Sequence, residues 1–166
     1  MAEQVEYDRT QAESELLMAA TKDALGAAGA LGGSLGSEFG HSYTGAPGGA
    51  AGGRFGARFT RPRTAARVIE LSQPPAALRE RTCAAIGERG RVIDDPNGGG
   101  DGAVWGLVRS GVADMMPALV RVQIEPTAAG GGRVHVRATG REGLIKQAIG
   151  GKAVDRMCEA IARHAP

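Results

Sequence analysis

Between Gly26 and Gly56 the chain carries 12 of its 27 glycines within 31 residues, and its apolar side chains there keep neither a helical nor a strand period for any useful length. Interior glycine weakens an isolated helix by about 1 kcal/mol relative to alanine. Gly29 and Gly33, and the series Gly32, Gly36 and Gly40, do have the small-xxx-small spacing that would bring two helices together in a membrane. In water the helix cost decides, and the stretch reads as a flexible linker. Folding is thereby assigned to what flanks it.

The 166 residues suffice for one ordinary domain with its own core. Leu, Ile, Val and Phe supply 31 of them, few for a uniformly packed chain, yet the net charge is only +2. Self-repulsion therefore does not keep the whole chain unfolded. Before the linker, Thr10-Gln-Ala-Glu13 has the form of a capping box, and Ala12, Leu16, Leu17, Ala20, Ala24 and Leu25 follow at helical spacing. The expected organisation is an acidic amphipathic helix within residues 1–25, a glycine-rich linker and arm over 26–64, and a folded domain over 65–166.

Within that domain, Arg67–Leu71 reads as a strand and Ala76–Arg89 as a helix with Leu78, Thr82, Ala85 and Ile86 on one face, closed by Gly90. Strands follow at Arg91–Asp94, Ala103–Val112, Ala118–Glu125 and Arg133–Thr139, with Asp95–Gly102 a turn. Val120, Val122 and Ile124 alternate with Arg121, Gln123 and Glu125, and Val134, Val136 and Ala138 with Arg133, His135 and Arg137. Leu144–His164 closes the chain as a helix with the stripe Ile145, Ile149, Ala153, Val154, Met157 and Ile161. The order β-α-β-β-β-β-α predicts an α+β domain, an antiparallel sheet of about five strands with two helices on one face. That order resembles the helix-grip domains and the half-repeat of TATA-binding proteins. The helix-grip resemblance implies a small-molecule or lipid cavity between the last helix and the sheet, with Trp105 and Met157 as its candidate lining.

Chemistry-bearing patterns are sparse. His41, His135 and His164 lie far apart without metal-type partners, and Cys83 and Cys158 read as small core residues. Ala148-Ile-Gly-Gly-Lys152 lacks the first glycine and the Ser or Thr of a phosphate loop, and its glycines fall in a helical pattern, pointing to a kink or a close helix-to-sheet approach. Asp95, Asn97 and Asp101 make a turn, not a calcium loop. No cofactor or metal is expected, and catalysis has no nominated acid, base or nucleophile. No secretory signal or membrane span is read, and a cytoplasmic setting follows as an expectation.

The aromatic residues are displaced. Five of the six (Tyr7, Phe39, Tyr43, Phe55 and Phe59) precede residue 65, and only Trp105 follows it. Arg54, Arg58, Arg61 and Arg63 surround Phe55 and Phe59, and no acid lies between His41 and Arg63, whereas residues 1–40 carry seven acids and two bases. With 17 Arg to 3 Lys, arginine by itself is discounted as a nucleic-acid signal. Three readings compete for this arm: docking on a protein surface, a plain linker, or weak binding of single-stranded nucleic acid. The leading expectation is a non-catalytic binding or assembly module whose mobile arm (Phe39, Tyr43, Arg54, Phe55, Arg58 and Phe59) engages a protein partner or another copy of the chain. Met115 and Met116, between two strands, are added as an adaptable contact.

Overall fold

The computed structural model describes residues 11–37, 45–98, 100, 102–143 and 147–163. In chain order these form helix α1 (Gln11–Ser37), helix α2 (Gly45–Gly56), a 3-10 turn (Ala57–Phe59), strand β1 (Arg61–Leu71), helix α3 (Pro75–Arg89), strands β2 (Gly90–Ile93), β3 (Val104–Ser110), β4 (Met116–Pro126) and β5 (Gly132–Glu142), and helix α4 (Ile149–Arg163). All strand pairs are antiparallel, in the order β1-β5-β4-β3-β2. The class and the sheet are those the alternation predicts.

The main core lies between the sheet and α3 with α4. Val120 and Val122 of β4 pair with Ala138 and Val136 of β5, and all four are buried on this inner face. Leu78, Thr82, Ala85 and Ile86 of α3 come down on it, as the spacing requires, together with Ile149, Val154, Met157 and Ile161 of α4. Three glycines of the sheet receive large residues: a Cβ on Gly106, Gly132 or Gly140 would lie 2.4, 2.4 or 2.3 Å from a side-chain carbon of Ile86, Leu78 or Ile149. At the start of α4, Gly150 lies against the backbone of β5 and β1, where a Cβ would be 2.8 Å from the Ala138 carbonyl oxygen. The Gly-Gly-Lys segment thus serves a close helix-to-sheet approach. Glu142 accepts the Ile149 amide at 2.8 Å and so caps the helix.

The expected flexible linker is where the structure departs most from the sequence pattern. Helix α1 continues through Gly26–Ser37, α2 occupies Gly45–Gly56, and the two helices pack together. A Cβ on Gly29 would lie 2.1 Å from the Gly49 carbonyl oxygen, and one on Gly53 would lie 2.1 Å from that of Leu25. Backbone meets backbone here, so the residues that weaken each helix alone are those that permit the pair. The expected arm is shortened at its other end, because β1 begins at Arg61. Gly90 does not close α3 in a left-handed conformation: its φ of 178° is extended, and glycine is required because a Cβ would be 1.9 Å from the Leu107 carbonyl oxygen. The last helix begins at Ile149, and Ile145 lies outside the described residues.

Replacing Gly53 by leucine raises intrinsic helix propensity by about 1 kcal/mol, yet its side chain has no room against α1. The expected outcome of Gly53→Leu is loss of amide-exchange protection in α2 with protection of β4 and β5 unchanged, measured by hydrogen-deuterium exchange. Protection that rises in α2 would mean that the backbone contact does not hold the pair together.

Candidate functional site

The end of α2 is fixed because Ala57 is fully buried and Thr60 is tied to both Ala57 and Arg141. The Thr60 hydroxyl donates to the Ala57 carbonyl at 2.7 Å, while the buried Arg141 donates to the Thr60 hydroxyl at 3.0 Å and to its carbonyl. Phe55 and Phe59, two residues to either side of Ala57, are left outside at 56% and 70% exposure. Their rings meet nearly edge to face at 5.4 Å between centroids, and the Arg58 guanidinium lies 5.5 Å from the Phe55 centroid. The Arg54 side chain is laid across α1, where a Cβ on Gly26 would be 2.9 Å from its Nε. Of the arm residues singled out in the sequence, the structure therefore gathers Arg54, Phe55, Arg58 and Phe59 at one turn. Phe39 and Tyr43 lie outside the described residues.

The other candidates separate. Met115 is 56% exposed, but Met116 opens β4 with its side chain in the main core and has no surface to offer a partner. Trp105 and Met157 do not share a cavity. Met157, on α4, is buried in the main core, and Trp105 is buried on the opposite face of the sheet, beneath α1. The alternation that puts valines on one face puts Trp105 on the other, so no chamber under the last helix is lined by both.

That outer face holds a network the sequence did not reveal. Trp105, Arg121 and Arg137 stand directly opposite one another on β3, β4 and β5. The Arg121 and Arg137 guanidiniums lie 5.7 and 5.8 Å from the indole centroid. Leu17 of α1 covers Trp105, Leu107 and Leu119, and Glu13, one turn earlier on α1, accepts from Arg137 Nη2 with both carboxylate oxygens at 2.9 Å and from Asn97 at 3.2 Å. Glu13 and Arg137 are both largely buried. Strand alternation places Arg137 only on the polar side of β5, and the Thr10–Glu13 pattern marks Glu13 only as a capping residue. The one sequence signal was that Glu13, Leu17 and Thr21 fall on a single helical face, and all three are buried. His135, on the open part of this face, lies 3.5 Å from Glu125.

Among the described residues no group of three His, Cys, Asp or Glu side chains is placed to hold a metal ion. Cys158 is buried against the main core, and burial pushes its thiol from 9.0 up to about 11; nearby Asp155 and Glu159 also raise it, while Arg67 opposes them. Cys83 is half-buried, and both cysteines are free. No helix among the described residues is long and apolar enough to cross a membrane. No family model matches the chain, and neither does any curated protein or solved structure.

Removing one partner of a buried ion pair leaves the other charge uncompensated, at a cost of about 3–5 kcal/mol. Glu13→Ala is expected to destabilise the docking of α1 by that order, seen as a red shift of the emission of Trp105, the sole tryptophan, at denaturant concentrations where the sheet remains folded. Unchanged emission would mean that Glu13 does not hold α1 down.

The Cys158 thiol is neutral in folded and unfolded chains below about pH 9. As pH rises from 9.0 toward about 11, the unfolded chain loses this proton while the fold retains it, so the folded state loses stability across that window. Replacing Cys158 by alanine should flatten the decline in denaturation midpoint between those pH values.

Proposed function

We propose that the chain is a non-catalytic binding or assembly module whose contact is made by the turn carrying Phe55 and Phe59, with a second copy of the chain as the partner. The observation that carries this reading is the exposure of two phenylalanines on a turn that Ala57, Thr60 and Arg141 hold in place. A rigid, outward aromatic pair presents contact area at low entropic cost, and exposed apolar clusters rimmed by charge mark interaction surfaces. β1 begins two residues after Phe59 and is the outermost strand of the sheet, with Val68 52% exposed. Its outer edge, unpaired among the described residues, adds a row of backbone groups to the same region.

Charge favours another copy over an unrelated protein. Residues 1–40 carry two bases and, besides the Glu13 that is already paired with Arg137, six acids, while 41–63 carry four arginines and no acid. Two chains related by a two-fold axis can set the acidic segment of each against the basic turn of the other, a self-complementary arrangement.

Light scattering of the purified full chain is expected to give about twice the 17.0 kDa chain mass, falling toward a single chain at high salt as the charge pairing is screened. The double variant Phe55→Ser/Phe59→Ser should be a single chain with unchanged far-UV circular dichroism. A wild-type chain of single mass at high protein concentration, or a variant that keeps the doubled mass, would overturn the proposal.

A further inference from the structure

A second feature lies where α1 passes the β2–β3 end of the sheet. The helix side chains lining that end are the small residues Ala20, Ala24, Ala27 and Ala28, of which Ala20 packs against the cluster of Leu17, Trp105, Leu107 and Leu119. A cleft of about 610 Å³ remains between them and Leu107 and Val108 of β3, with Met115 and Pro117 on its rim. This is within the size range of small-molecule sites. The rim is shaped by an uncommon backbone: Ala113 and Asp114 adopt φ values of 51° and 54°, in the left-handed region that non-glycine residues seldom occupy. Conformations of this kind persist only where the surroundings impose them, and they gather at ligand sites. Met115, exposed at the rim, immediately follows them.

The charges around the cleft are unequal. Asp114, the acid among its lining residues, is engaged by Arg156 and lies 3.9 Å from Arg89. Arg91 and Arg109, also at the cleft, are exposed and make no ion pair or hydrogen bond among the described residues. Beyond Arg109 the cleft continues into a second, more polar recess bordered by Gly87, Glu88 and Arg89. An apolar trough thus leads to two uncompensated guanidiniums. We propose that this cleft binds a single-chain amphiphilic carboxylate, its hydrocarbon tail between the α1 alanines and Leu107 and its carboxylate on Arg91 and Arg109. Guanidinium groups pair with carboxylates through charge-assisted hydrogen bonds, and the alanine wall provides apolar contact without a polar demand.

Isothermal titration of the full chain with sodium dodecanoate, below its micelle concentration, tests this against dodecyltrimethylammonium, which carries a similar tail on a cationic head. A one-to-one dodecanoate complex is expected, weakened about tenfold or more by Arg91→Gln/Arg109→Gln and by the cationic head, as loss of a charged hydrogen bond implies. Ala24→Leu and, separately, Ala27→Leu should block the complex by filling the trough, with circular dichroism reporting that each variant folds. No dodecanoate complex, equal binding of the two amphiphiles, or a complex unaffected by both leucine variants would overturn the proposal. Binding seen only to anionic phospholipid vesicles, and not to monomeric dodecanoate, would overturn it as well.

Discussion

The pairing of β4 with β5 is the constraint on which the remaining structure rests. Their register sets Val120, Val122 and Ile124 opposite Ala138, Val136 and Val134, and so places one continuous apolar set on a single face. A slip of one residue would turn that set to the other side and bring arginines inward. With the register fixed, α3 and α4 have one surface to cover. The glycines at 106, 132 and 140 let Ile86, Leu78 and Ile149 settle directly onto the strands. A chain poor in large apolar residues obtains a dense core in this way, by bringing its helices close and not by filling a wide gap with aromatic rings.

The same register dictates the problem on the opposite face. Trp105, Arg121 and Arg137 are brought into one row across three strands, and two cations beside an indole cannot be covered by an ordinary apolar helix. α1 meets this with two residues on one helical face: Leu17 for the indole and its neighbours, and Glu13 for Arg137. The arginine stems also supply apolar cover along their length. This makes α1 a part of the sheet's second layer, although its position in the chain is remote from the strands it covers.

Small residues on α1 then have two consequences that bear on function. Where α1 faces α2, glycine allows backbone contact, and the turn that follows is held firmly enough to keep Phe55 and Phe59 outside. Where α1 faces β3, alanine leaves open space, bounded by Arg91 and Arg109, which make no ion pair among the described residues. A compact helix pair and an incompletely filled sheet layer arise from the same bias in composition. The proposed contact turn and the proposed ligand cleft are thus two products of one helix.

Strand alternation, the apolar face of α3 and most of the α4 stripe were legible in the sequence, because period and burial are coupled locally: a residue's face follows from its position along its own element. The concentration of phenylalanine before residue 65 was legible as well, but that pattern predicts a mobile arm, and the outward placement of Phe55 and Phe59 on a held turn depends on the tertiary contacts of Ala57, Thr60 and Arg141. The glycine-rich helices were not legible, because their stability comes from Gly29 against Gly49 and Gly53 against Leu25, contacts between segments that propensity treats one at a time. Nor could Glu13 be matched with Arg137, 124 positions away, or Met116 be told from Met115 before the start of β4 was known. The sequence by itself determined the strands, α3 and α4, the sheet and the two unlike faces, all consequences of local periodicity. Tertiary structure alone decided what covers the second face, which residues stay outside and where space is left, because those outcomes depend on which backbone can approach which.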